Sequence, residues 1–271
     1  MAKQQKKSEI KENSPIKVKR HIDSGWYLFF AVVFIIVFLV ITQPDPYLNM
    51  LRFFKEGIWV TIYVTVTSFI LVLFVGLFGG LGRVSGNKVI RGIATTYVEV
   101  IRGIPLLVQL LFWYFAMPAL IQQIGRVTGN EALSNYQTNA IVMAIVGLTI
   151  GYGAYMSEVV RAGIQSVPKG QMEAARSLGL TYFQAMRHII LPQAFRVILP
   201  AIGNEFITLL KDSSLVSVVA VADLTRRGRE YSAIHFNTLQ TWSMVALVYL
   251  VMTLLSARLV AYTERRTKSE R

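Results

Sequence analysis

Long apolar runs without charge divide the chain. Trp26 to Thr42 (WYLFFAVVFIIVFLVIT) is the first, and Gly57 to Gly82 is a longer one. Pro105 to Gln122, Asn139 to Ser157 and Trp242 to Ala257 follow, the Asn139 run with Glu158 just beyond its end. A transmembrane helix needs about 20 mostly apolar residues, so each run predicts a span. A sixth run, Arg196 to Leu210, is short and interrupted by Pro200, Asn204 and Glu205. The pattern predicts an all-α integral membrane protein with six transmembrane helices. The first run follows a basic N-terminal region, as in a signal peptide. It is long, however, and the next residues, QPDPYL, offer no small-residue cleavage site, so it reads as a retained anchor.

The polar connections set the orientation. Stretches 1–25, 83–104, 158–196 and 258–271 hold seven, four, five and five Lys and Arg, 21 in all; the alternating stretches 43–56, 123–138 and 211–241 hold two, one and four, seven in all. Basic loops stay on the cytoplasmic side, so both termini are expected there, with 1–25 and 263–271 as basic cytoplasmic tails. One cluster conflicts: Arg226, Arg227 and Arg229 fall on the outer side. A contact with an acidic partner and a solvated loop both accommodate it.

Composition supports the membrane reading. The chain is 54% hydrophobic and 16% charged, where a soluble domain carries about a quarter charged residues. A net charge of +13 would suggest nucleic acid on a soluble protein. Here basic loops account for it, and no nucleic-acid partner is expected. There is no cysteine, hence no disulfide or thiolate metal site. No G-x-x-x-x-G-K-[ST], H-E-x-x-H or G-x-S-x-G occurs, and His21, His188 and His235 lie far apart. Neither catalytic residues nor a metal are expected. Gly79, Gly80, Gly82 and Gly86 do not spell a dinucleotide fingerprint; they permit close helix packing or end the helix. Glu99 and Arg102, at i and i+3, are placed on a cytoplasmic elbow as a structural ion pair.

The 158–193 connection is long and patterned. Pro168 can open a helix, on which Met172, Ala175 and Leu178 recur at three-residue steps, and Gly179 suits a C-terminal cap. Thr181 is an N-cap candidate for a second helix with Phe183, Met186, Ile189 and Ile190 on its apolar side, ended or kinked by Pro192. Periodicity leaves open whether this hinged pair docks a partner or lies on lipid headgroups.

The spacing EAA-x3-G-x9-I-x-LP, met at Glu173, Ala174, Ala175, Gly179, Ile189, Leu191 and Pro192, resembles the signature of permease subunits of ATP-binding-cassette importers. IRGIPLLVQLLFWYF (101–115), GAYMSEVVRAGIQSVPKGQ (153–171) and LLKDSSLVSVVAVADLTRRG (209–228) are similar to the polar amino acid branch of that family. The resemblance covers about 55–262. It implies a type I importer permease domain of five helices with coupling loop 158–193, and an extra N-terminal helix at 26–43. It also implies that Glu173 to Gly179 inserts into a cytoplasmic ATPase dimer, which binds the ATP, so the chain itself needs no cofactor. The further partners it implies are a second permease subunit, identical or not, an extracytoplasmic amino-acid-binding protein and the bilayer of a bacterial cytoplasmic membrane. Alternating access would carry the amino acid across.

Ionisable residues at membrane depth usually face a cavity or a partner. Asn204, Glu205, Thr208, Lys211, Asp212, Ser213 and Ser214 lie in or beside the broken fifth run and offer donors and acceptors for a zwitterion. Glu158, at the end of the fourth, is a further substrate-path candidate, or pins the loop. An ion-coupled secondary transporter is the alternative; it would need an intramembrane proton or sodium relay and leaves the patterned loop unexplained.

Overall fold

The structure, a computed structural model, describes residues 24–268, and all regular elements among them are helical. In chain order they are α1 (Ser24–Thr42), α2 (Pro44–Arg83), α3 (Lys88–Gly103), α4 (Leu106–Leu111), a π turn (Phe112–Ala116), α5 (Met117–Thr128) and α6 (Glu131–Ser134). There follow α7 (Ala140–Gln165), α8 (Lys169–Ser177), α9 (Tyr182–Ala185), a second π turn (Met186–Ile190), α10 (Leu191–Asp212), a 3-10 segment (Ser213–Val219), α11 (Leu224–His235) and α12 (Thr238–Lys268). Of the expected basic tails, 1–23 and 269–271 lie outside the described residues, while 263–268 continue α12.

Local chemistry sets these boundaries. Asn87 caps α3 by accepting from the Val89 and Ile90 amides at 2.8 and 3.4 Å. The helix stops at Gly103 because Ile104 precedes a proline and is extended, at φ −106°, ψ 130°. The Asn139 side chain accepts from Val142 N at 3.2 Å and opens α7.

Five helical stretches are long and apolar enough to cross a membrane: 25–42, 44–83, 106–128, 140–165 and 238–264. They contain five of the six expected runs. The remaining one lies in α10, whose 22 residues rise about 33 Å at 1.5 Å per residue. Its length suffices, but Asn204, Glu205, Lys211 and Asp212 hold its composition below that of the others. Pro200 sits inside α10 without breaking it. Pro192, expected to end or kink a helix, does not end one. The π turn before it absorbs the missing N–H, and Gln193 Nε2 donates to the Ile189 carbonyl at 2.9 Å. The chain is therefore helical without interruption from Tyr182 to Asp212.

Lipid is as apolar as leucine, so helices in a membrane associate through close contact and small residues rather than by escape from water. α2 and α7 make the largest helix contact in this way. Gly76, Gly79 and Gly80 of α2 lie directly against Met156, Ser157 and Val160 of α7, and Gly153 of α7 lies against Val75. Of the two roles open to the Gly79 group, close packing is the one realised at Gly79 and Gly80. Val64, Val72, Leu148, Tyr152, Met156 and Leu209 form the central core there. A second cluster (Met50, Phe54, Leu224, Tyr231 and Met244) ties α11 to α2 and α12. A third, at the opposite end, joins Val160 and Ile164 of α7 to Ile190, Ala194 and Ile198, with Met172 of α8 packed on it. α1 lies outside this body against α12 and α2. It buries only Val32 among its large apolar side chains, and its Gly25 faces the guanidinium of Arg258.

Candidate functional site

Two constructions stand out, one at the α8 end and one between the spans. At the α8 end, Pro168 precedes the first turn of α8 and Gly179 closes it. Gly179 has φ +83°. Its amide donates to the Arg176 carbonyl at 3.0 Å, and the Leu180 amide donates to the Ala175 carbonyl at 3.2 Å, a Schellman closure. Thr181 then caps α9 in a capping box with Gln184, at 3.3 and 2.9 Å. Two caps back to back fix the angle between α8 and α9.

The motif residues divide into two sets. Ala175 is buried, and Ile189 and Leu191 pack partly buried on the third core cluster. Glu173, Ala174, Gly179 and Pro192 are exposed. Leu178, expected on the inner face with Met172 and Ala175, is instead 82% exposed, because the closure at Gly179 turns the chain outward there. Phe183, also expected on an inner face, is 71% exposed. The α8–α9 corner thus presents apolar side chains and a carboxylate outward from a base that is packed on α7 and α10.

Between the spans, the ends of α2 and α3 and the middle of α7 enclose a polar cleft of about 470 Å³ lined by Arg83, Val98, Glu99, Arg102, Tyr155 and Glu158. Arg83 of α2 and Arg161 of α7 grip the Glu158 carboxylate from two sides, the Arg161 Nε at 3.0 Å. Arg161 also donates to Gln165. Glu158 therefore joins α2 to α7 as part of an arginine–glutamate–arginine set. Arg102 is different. Its guanidinium lies over the Tyr155 ring, 5.1 Å from the centroid. The pair expected between Glu99 and Arg102 does not form: among the described residues neither has an ion-pair partner within 4.0 Å. Both face the cleft, where α7 supplies a competing surface, rather than each other. Gln109 fixes this arrangement from below. Its Nε2 donates to the Ile101 and Ile104 carbonyls, both at 2.8 Å, at the end of α3 where Pro105 has no N–H to offer; the Ile101 carbonyl also accepts from the Ile104 amide at 3.3 Å.

The α10 candidates scatter. Glu205 turns toward α7 and lies within electrostatic reach of Arg102 and Asp212. Asp212 accepts from Tyr152 Oη at 2.6 Å. Asn204, Thr208 and Lys211 are exposed, with Thr208 Oγ1 donating to the Asn204 carbonyl at 3.0 Å. Ser213 is buried and bonds its own helix at Leu210 O, 2.8 Å. Of the predicted path, the structure brings Glu158 and Glu205 around one centre, Arg102, and leaves the exposed three apart from it. Arg83, Arg102 and Tyr155 were not singled out as path residues. The available signal was that Arg83, Arg102 and Glu158 all stand at the rims of apolar runs.

At the far end, the arginines that conflicted with the charge count are mostly paired. Arg226 Nε is 3.0 Å from Glu230, and Arg227 reaches Glu56 at 2.6 Å and Glu230 at 3.1 Å. The Arg227 guanidinium also sits 5.6 Å from the Phe53 ring centroid. Arg229 alone of the three has no ion pair among the described residues. Beneath them, buried Asp223 caps α11, accepting from the Thr225 and Arg226 amides at 3.1 and 3.0 Å and from Tyr249 Oη at 3.2 Å. Burial pushes its carboxyl above the ordinary range, against the pull of those hydrogen bonds.

Charged groups held between apolar helices mark a functional site within a membrane-spanning bundle. Residues 72–269 match the family described as the binding-protein-dependent transport system inner membrane component, and the chain belongs to it. The glutamine transport system permease protein GlnP of Escherichia coli K12 is 37% identical over 213 residues, 79% of this chain and 92% of that one. The arginine transport system permease protein ArtQ of Bacillus subtilis 168 is 36% identical over 217 residues, 80% and 93% of the two chains. A crystal structure of an amino acid ABC transporter with histidines superposes with a TM-score of 0.71 at 40% identity, over 81% of this chain and 96% of that one.

Proposed function

We propose that the chain is the permease subunit of an ATP-driven importer of polar amino acids, coupled to a separate ATPase through Glu173 to Pro192. The carrying observation is the α8–α9 corner: Glu173, Ala174 and Gly179 are exposed while Ala175, Ile189 and Leu191 root the same segment in the core of α7 and α10. A short helix closed at its C-terminus by Gly179 and anchored on two spans moves as a body when its socket closes. The excess of Lys and Arg in alternate loops supports a cytoplasmic location for this corner and both termini, which leaves α11 to face a binding protein outside. The chain itself breaks no bond; the partner hydrolyses ATP.

The relatives' cargoes, glutamine and arginine, belong to a class that the cleft suits chemically. A zwitterion needs a donor for its carboxylate and an acceptor for its ammonium. Arg102 and Glu99 are the cleft's cation and anion without an ion-pair partner, whereas Glu158 is already held by two arginines. Alternating access would expose this cleft to one side at a time.

The test is uptake of labelled glutamine, glutamate and arginine into vesicles containing the full transporter with its ATPase and binding protein. Deletion of Glu173 to Gly179 is expected to abolish uptake and the stimulation of ATP hydrolysis by loaded binding protein. Uptake that persists after the deletion, or that follows membrane potential after ATP is removed, sinks the proposal.

A further inference from the structure

The corner between α11 and α12 carries an apolar surface that neither the cleft nor the α8–α9 corner uses. Phe236 is 89% exposed, with Ile234 at 62% and Leu239 at 78%. Phe236 also has φ +56°, ψ 21°, the left-handed region where a bulky residue is an outlier and glycine is the usual occupant. Its neighbours hold it there. The Phe236 amide donates to Ser232 O at 2.9 Å, Ser232 Oγ and Thr238 Oγ1 are 3.2 Å apart, and Thr241 Oγ1 donates to Asn237 Oδ1 at 2.8 Å.

The register of α1 and α12 gives the depth of this corner. The two helices pack antiparallel, and the guanidinium of Arg258 reaches Gly25, which sets the two positions level to within the length of that side chain. Seventeen residues along α1 from Gly25 is Thr42, where the apolar run ends, and seventeen back along α12 from Arg258 is Thr241. Both helices rise 1.5 Å per residue, so these two threonines mark one level. Leu239 and Phe236 therefore lie within about one helical turn beyond the end of the apolar run, which is the depth of the headgroup layer. Trp242 and Ile41, both exposed, flank them at the same level.

We propose that Ile234, Phe236 and Leu239 form a wedge inserted at the headgroup–acyl boundary of the bilayer, fixing the α11–α12 corner against the membrane. The occupant is lipid because the patch continues the lipid-facing surface of two spans, and aromatic side chains favour that boundary. Arg229, exposed on α11, is the polar reference position.

The chain has no cysteine, so a single introduced cysteine is its one labelling site, and the chain is labelled before assembly with its partners. Phe236→Cys, Ile234→Cys and Leu239→Cys, each spin-labelled in the full transporter in lipid vesicles, are compared with Arg229→Cys. The expected ratio of oxygen to nickel-chelate accessibility is several-fold higher at the three apolar sites than at 229, and it is unchanged by adding binding protein. Should Phe236→Cys not fold, the other two positions carry the same measurement. Nickel accessibility equal to that at 229 overturns the wedge. So does a label that is aqueous until binding protein covers it, which assigns the surface to protein docking.

Discussion

Gly179 offers a clean measurement of how far the α8–α9 corner depends on backbone conformation. A Cβ built on Gly179 meets nothing within 4 Å, yet its φ is +83°. Gly179→Ala therefore introduces no clash within this chain, and its whole effect is the strain of an L-residue in the left-handed region, about 1–2 kcal/mol. At about 1.4 kcal/mol per factor of ten, that is roughly fivefold to thirtyfold in the population of the closed turn. The amides of Gly179 and Leu180, which close the turn onto Arg176 and Ala175, should exchange hydrogen faster by that factor, read by mass spectrometry on the purified protein. Gly179→Asn should recover most of the protection, because asparagine tolerates the left-handed region. ATP hydrolysis stimulated by loaded binding protein should fall in the same order, alanine below asparagine. If asparagine is as damaging as alanine, or if the loss follows side-chain volume while exchange is unchanged, the conformational argument is wrong, and the glycine is kept for contact with the ATPase.

Three further outcomes are expected. Arg102→Gln should raise the KM for uptake at least tenfold while leaving assembly with the ATPase intact, since Arg102 holds no ion pair that keeps helices together; an unchanged KM would remove it from the substrate path. Gly80→Val should lower the melting temperature in detergent, because even its Cβ would lie 2.5 Å from Val160 Cβ and 2.9 Å from the Ser157 carbonyl, an overpacking cost of about 1–3 kcal/mol; Gly86→Ala, with nothing within 4 Å, is the neutral control. Asp223→Asn should keep α11 capped and flatten the pH dependence of stability: with the native carboxyl raised by burial, its contribution is present below the ordinary carboxylate range and lost as pH rises through the elevated value, a loss the amide does not suffer. Equal slopes for the two proteins would refute this.

What was legible in the sequence was what short-range chemistry decides. The caps at Thr181 and Gly179 follow from their own neighbours, and the apolar runs of α1, α2, α7 and α12 follow from their lack of charge. What was not legible depends on which helices meet. Glu99 and Arg102 have the spacing of a helical pair, and only the arrival of α7 with Tyr155 and Glu158 turns them to a shared cleft. The pairing of the Arg226 to Arg229 cluster was hidden because Glu56, which holds Arg227, is 171 residues away in the chain. Pro192 looked like a helix end because a π turn has no signature in composition. Leu178 had the right period for an inner face and the wrong place, one residue before a left-handed glycine.

The glycine contacts between α2 and α7 have a mechanical consequence. Where Met156 and Val160 rest against Gly76 and Gly80, each helix fills a notch in the other, and sliding would drive side chains into unyielding backbone. The Arg83–Glu158 bridge clamps one end of the same contact. The two helices therefore pack as a single beam, and the third wall of the cleft they share is α3. Beside that beam the helical ladder is irregular at the break at Ile104–Pro105 and at the π turns at 112–116 and 186–190. The second π turn lies directly between the α8–α9 corner and α10, so the corner joins that span through an irregular turn and not through a continuous α-helical rod.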